Sequence, residues 1–378
     1  MNSGIKTIAR AENVGSLLRP QNLLDAARDY KRGSITGDEL REVQDSAVRD
    51  AIAVQESAGL DVLTDGEMRR EAWALSPFLL DCFDNRAGAR SYPASAAQAV
   101  DEDTVLPVVT RRLAPPAGRD LDDGYQFLRD NARGRVKYTL PAPSYHRRYW
   151  SDTMSGGAYD SCEEYLTDVR DWIRGVAGRL AAAGCDYIQL DAPNYGSLCD
   201  PRIRDHHRRA GHDLDAQLAF DAGLDSSVFA GLAGVTRAVH LCRGNPPGGR
   251  WFASGGYAPI ADRLFPALAA DVLLLEFDSD RSGGFEPIKS VPAGTTCVLG
   301  LLTTKNAVVE DDREIIARIE AAAALKPLED LALSTQCGFA SVAGGSPATG
   351  QAQRGKLAAV ARIAGRVWGG QDGGGQRG

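Results

Sequence analysis

The sequence has no closely spaced pair of cysteines. Its seven cysteines, at positions 82, 162, 185, 199, 242, 297 and 337, are odd in number and include no Cys-x-x-Cys, which argues against a disulfide framework and against a zinc ribbon. It has no apolar stretch of the roughly 18 residues that a membrane span needs. The opening residues 1–7 also lack the apolar centre of a secretory leader. Positive charge is not in excess: 43 Lys and Arg against 50 Asp and Glu give a formal net charge of −7, so a general nucleic-acid role has no electrostatic support. No internal repeat stands out.

What is present is the composition of a globular enzyme. With 43% hydrophobic and 25% charged residues, the chain can bury a sizeable core, and the reading is of a cytoplasmic protein. Its 378 residues fit two ordinary domains or one large α/β barrel. Most cysteines read as inert buried thiols. Cys297, inside Thr295-Thr296-Cys297-Val298-Leu299, is the example.

Eight apolar or β-branched runs read as strands: 6–14, 60–64, 135–140, 186–190, 235–242, 271–275, 296–302 and 331–335. Helical periodicity separates most of them, over 38–58, 162–183, 258–270 and 312–325. Strand and helix alternating eight times point to a (β/α)8 TIM barrel, taken as one catalytic domain over residues 1–368. A long insertion over 80–134, between strands two and three, carries its own apolar strand at 105–113 and an amphipathic stretch at 121–128; it reads as a cap. The segment 199–212, with His206, His207 and His212 among four arginines, reads as a solvated basic loop, a poor home for a cation. The Gly-rich end, 369–378, reads as a disordered tail.

The chemistry is concentrated at strand ends. In Val239-His240-Leu241-Cys242, side chains at i and i+2 point to one side, so His240 and Cys242 can face one ion. Alone, that pair is equally a buried strand with two core residues. Further on, one apolar run ends in Glu276 and another in Cys337. In a TIM barrel the carboxyl ends of all strands open on one face, so four zinc-type ligands from three strands would share one mouth. A His, two Cys and a Glu suit Zn2+, and their spread over a barrel mouth favours catalysis over a structural site. Two thiolates make the metal electron-rich, which suits holding a substrate thiol deprotonated for S-alkylation better than acidifying water.

These residues resemble the cobalamin-independent methionine synthases, in particular their short, single-barrel relatives. The resemblance covers nearly the whole chain and rests on Val14-Gly15-Ser16-Leu17-Leu18-Arg19-Pro20, Asp61-Val62-Leu63-Thr64-Asp65-Gly66-Glu67-Met68-Arg69-Arg70, Tyr187-Ile188-Gln189-Leu190-Asp191-Ala192-Pro193, His240-Leu241-Cys242-Arg243-Gly244-Asn245, Leu275-Glu276-Phe277-Asp278 and Gln336-Cys337-Gly338-Phe339-Ala340-Ser341. It implies zinc held by His240, Cys242, Glu276 and Cys337, with Glu276 yielding to an incoming thiol. It implies that Gly15 and Ser16 receive an amino-acid carboxylate, while Glu67 and Asp191 hold its ammonium, in keeping with the chemistry of those groups.

The chain also departs from the family. There is room for one barrel only. Where the family has an Asp-x-His pair after strand seven, the chain reads Thr303-Thr304-Lys305; Lys305 is then the candidate acid for the leaving group, or an anion site. The family's pterin-stacking tryptophan has Trp150 as its nearest counterpart. The expected activity is methyl transfer from a methylated folate, or another methyl carrier such as methylcobalamin, to homocysteine, giving methionine. The alternative is a lyase resembling epoxyalkane:coenzyme M transferase, with an epoxide as the second substrate. The partners expected are small molecules, with neither nucleic acid nor membrane involved, and a homo-oligomer is compatible with the sequence.

Overall fold

The computed structural model describes residues 8–70, 82–84, 107–114, 121–343 and 346–369. The Gly-rich end from residue 370 and most of the 80–134 insertion lie outside the described residues.

All eight expected strands form. They are β1 Ala11–Glu12, β2 Val62–Leu63, β3 in two pieces, Arg135–Val136 and Tyr138–Pro141, β4 Tyr187–Asp191, β5 Thr236–Leu241, β6 Val272–Glu276, β7 Thr296–Leu302 and β8 Leu331–Thr335. Every pairing among them is parallel. The circuit runs β2, β1, β8, β7, β6, β5, β4, and β3 closes it. Its first piece pairs with β2, Leu63 opposite Val136, and its second with β4, Pro141 opposite Asp191. Lys137, at the changeover, still donates its backbone N–H to Leu63 O at 2.9 Å.

Strands buried on both faces read as continuous apolar runs, which is why they were legible. The outward side chains join the surrounding helices in the main core. The inward ones, Val14, Val62, Tyr187, Ala238, Val272, Leu274, Val298 and Ala332, form a separate cluster that fills the barrel.

The helices anticipated at 38–58 and 162–183 appear as α2, Gly37–Ala58, and α4, Cys162–Ala182. Thr36 and Glu39 cap α2 reciprocally, and Gly59 ends it in the left-handed region. Those at 258–270 and 312–325 are shorter, as α8, Ala261–Ala267, and α9, Asp312–Ala323. Further helices include α1 Gln21–Lys31, α3 Tyr125–Asn131, α7 Leu214–Ser227 and α10 Gly350–Trp368. α10 fastens the first loop of the chain, its Gln353 accepting the Leu18 N–H at 2.7 Å.

The segment 199–212 corrects the solvated-loop reading. Pro201–Arg209 is a helix, α6, started by the Asp200 side chain, which accepts the Arg202 N–H, and by Pro201 in its first turn. It buries Ile203 and His207, and burial holds His207 down at about 4. Of the insertion, Phe83–Asp84 pairs antiparallel with Val108–Val109, and Val109 O accepts the Ser155 hydroxyl at 2.7 Å. Cys297 is fully buried in β7. Among the described residues no helix is long and apolar enough to cross a membrane.

The reciprocal cap of α2 generates a stability prediction. Thr36→Ala removes one half of it and should cost about 1 kcal/mol of unfolding free energy, read as a lower urea midpoint with an unchanged slope.

Candidate metal centre

Period-two alternation puts Gln189 and Asp191 of β4, His240 of β5 and Glu276 of β6 on the inward face, near the carboxyl ends of their strands. Cys242 immediately follows β5 and Cys337 follows β8 by two residues. Gly196 packs against the Cys242 carbonyl so closely that a Cβ there would lie 1.9 Å from it. That contact leaves no room for a side chain between β5 and the short helix α5, Pro193–Ser197.

The ligand atoms of His240, Cys242 and Cys337 all lie within 4.8 Å of one another, and all three residues are buried. His240 Nδ1 is 3.1 Å from Asp191 Oδ1, whereas its Nε2 is buried with no partner. A buried ring nitrogen without a partner is costly unless something absent from the chain occupies its lone pair. One imidazole nitrogen and two sulfurs at that separation fit a zinc ion, with the carboxylate behind the imidazole as its orienting partner.

The two sulfurs lie close enough for each to set the ionisation of the other. The Cys242 thiol donates toward Cys337, which, against the effect of burial and with His240 and Lys305 helping, brings Cys337 down to about 7; Cys242 is correspondingly pushed well above its ordinary value. A divalent cation takes cysteine as the thiolate, so binding here would release thiol protons.

Glu276 stands outside the close trio, with its carboxylate saturated by donors. Oε2 accepts the Arg243 backbone N–H at 2.7 Å and the Gln336 amide at 2.9 Å. Oε1 accepts from Arg281, and Lys305 Nζ lies 3.9 Å away. Complete burial opposes its charge, but Lys305, Arg243 and Arg281 outweigh that and hold it at about 2. Lys305 Nζ also contacts Asp278 at 3.3 Å and the Gln336 side-chain oxygen.

Glu67, Gly15 and Ser16 meet on the neighbouring side of the rim. A Cβ at Gly15 would lie 2.7 Å from Glu67 Oε1, and one at Gly338 would lie 2.0 Å from Ser16 Oγ. Glu67 Oε1 accepts the Thr139 hydroxyl at 3.1 Å, while Oε2 is buried without a partner. Burial pushes the carboxyl up to about 6, Arg70 and Arg19 opposing, Asp191 and Asp65 adding to the rise. Glu67 also has φ +56°, a conformation rare for a residue with a side chain.

The structure therefore gathers His240, Cys242, Cys337, Asp191, Glu276 and Lys305 into one neighbourhood, with Glu67, Gly15 and Ser16 beside it. Trp150 instead stacks on Tyr165 of α4 and donates to Asp152. The role of Asp191 as the partner of His240, and the participation of Gln336, Asp278 and Arg281, were not anticipated. Asp191 and His240 had a signal of a kind, since adjacent parallel strands place them side by side. Arg281 had none, being recruited by a loop.

No known family profile matches the chain. It is 34% identical to YxjH of Bacillus subtilis, an uncharacterized protein, over 95% of this chain and 94% of that one. A methionine synthase of Sulfolobus acidocaldarius is 37% identical over 50% of this chain and 52% of its own. A Listeria monocytogenes protein, solved as a candidate vitamin-B12-independent methionine synthase, superposes with a TM-score of 0.71 at 26% identity, covering 96% of this chain and 99% of the other. The chain thus belongs to the family of YxjH, and its barrel is of the cobalamin-independent methionine synthase type.

Proposed function

We propose that the protein is a zinc-dependent S-methyltransferase that moves a methyl group from a methylated folate, or another methyl carrier, to homocysteine. The observation that carries this reading is a buried His240, its Nε2 without a partner, grouped with two cysteines at the barrel mouth. His240, Cys242 and Cys337 would hold the ion, with Glu276 as the exchangeable fourth ligand. Zinc bound there would keep the acceptor thiol deprotonated at neutral pH.

The chain's own groups then have defined tasks. Asp191 orients His240 and, with Glu67, faces the acceptor's ammonium; Glu67 Oε2 is the free acceptor for it. Backbone amides and the hydroxyl at Gly15 and Ser16 receive its carboxylate. When sulfur bonds to the methyl carbon, the bond from that carbon to its carrier breaks with the electron pair going to the carrier, and a folate nitrogen then takes up a proton. Lys305 is the candidate donor, on condition that its ammonium first releases Gln336 or Asp278. Arg281 and Gln336, which already donate to the Glu276 carboxylate, would hold it whenever it is not bound to the ion. A coenzyme M acceptor is less well supported, since its sulfonate gives Glu67 no cation to bind.

Three outcomes test the proposal. The zinc X-ray absorption spectrum should gain one sulfur when homocysteine is added, and Cys337→Ser should lose zinc and activity together; activity that survives without metal would sink the mechanism.

Glu67→Gln should act in opposite directions on stability and binding. Because burial raises the Glu67 carboxyl from 4.5 to about 6, the native state keeps a proton that the unfolded chain releases. Stability therefore falls as pH rises through that window, by roughly 2 kcal/mol in all. The variant should be more stable than the parent at neutral pH, yet bind homocysteine more weakly. Losing affinity equally for a thiol without an ammonium would remove Glu67 from this role.

A further inference from the structure

Inside the barrel, beneath His240, is a charge pair that the chemistry above does not use. Lys137, where β3 changes partners, is fully buried. Its ammonium donates to Glu12 Oε2 at 2.5 Å and to Gln189 Oε1 at 2.7 Å. The Tyr187 hydroxyl donates to the same carboxylate at 3.1 Å, and the Tyr187 ring centre lies 5.5 Å from the ammonium. Gln189 gives its amide hydrogens to Val14 O at 2.9 Å and to Asp191 Oδ1 at 2.7 Å. Asp191 Oδ1 is in turn the partner of His240 Nδ1. From cation to imidazole the series of hydrogen bonds is unbroken and draws on three elements, β3, β4 and β5, with Glu12 of β1 as the counter-charge.

The direction of each bond follows from the first. An ammonium has donors only, so the Gln189 oxygen must face it. The amide nitrogen must then face Asp191, which leaves that carboxylate as an acceptor for Nδ1–H. With the proton on Nδ1, the Nε2 lone pair is free and aimed. Glu12 cancels the lysine charge, so the relay adds no net charge beneath the site. A buried ion pair that served packing alone could be replaced by apolar groups at little cost, and it would need neither the amide nor its orientation.

We propose that Lys137 and Gln189 are positioning residues that, acting through Asp191, fix the tautomer and direction of His240. The inference rests on His240 being a metal ligand, as argued above. It is tested with Gln189→Leu and with the double variant Lys137→Met/Glu12→Gln, which leaves no lone charge in the barrel. The first readout needs no metal: the 15N shifts of His240 in the apo-protein, recorded well above its pKa. The parent should show the Nδ1–H tautomer alone, and each folded variant a mixture of both. The second is zinc affinity by chelator competition, expected to fall about ten- to a hundred-fold. Folded variants that keep the parental tautomer overturn the proposal. Should the parent itself hold no zinc, the metal reading fails, whereas the tautomer measurement still decides the relay.

Discussion

A closed barrel of parallel strands has an interior that no water-filled route relieves, so every polar side chain pointing inward must find its partner among the other inward side chains. That constraint orders the site. Val272 and Leu274 precede Glu276 on β6, and Ala238 precedes His240 on β5, each on the inward face. Polar groups toward the rim are then paired across strands: Asp191 with His240, Glu276 with Gln336 and Arg243, Lys305 with Asp278. His240 Nε2 and Glu67 Oε2 are among the buried atoms that have no such partner.

Charges of both signs meet near Glu276. Its carboxylate and that of Asp278 face Arg281 and Lys305, with the Arg243 guanidinium as a third cation beside Glu276. The guanidinium of Arg281, which lies over the Trp251 ring at 4.8 Å, is held where it meets both carboxylates.

Much of this was legible in the sequence because the strands are apolar on both faces and end in residues of distinctive chemistry. All eight strand positions, and the convergence of His240, Cys242 and Cys337, follow from reading those ends together. Less legible was anything carried by loops or by polar interior positions. Arg281 lies on a short 3-10 turn with no periodicity to place it, and Lys137 reads as an ordinary charge within the strand at 135–140 until the barrel closes over it. The helix at Pro201–Arg209 was hidden by its own composition: His206, His207 and flanking arginines resemble a solvated loop, whereas the decisive features were Asp200 and Pro201 at its start. Asp191 was recognised as a site residue through its strand end, but its engagement with His240 depends on register between neighbours, which no single strand carries.

The pairing of β1 with β8, Ala11 opposite Leu333, has a consequence for how the chain is made. During synthesis β1 emerges first and must wait for the whole of the remaining barrel before its partner exists, and α10, which secures the first loop, is later still. An unpaired edge of β1 is exposed throughout that interval, a template for unwanted strand pairing. Contacts this distant in sequence also make closure slow. The nascent protein is therefore expected to depend on chaperones until β8 and α10 have left the ribosome, and production at lower temperature should favour the soluble form.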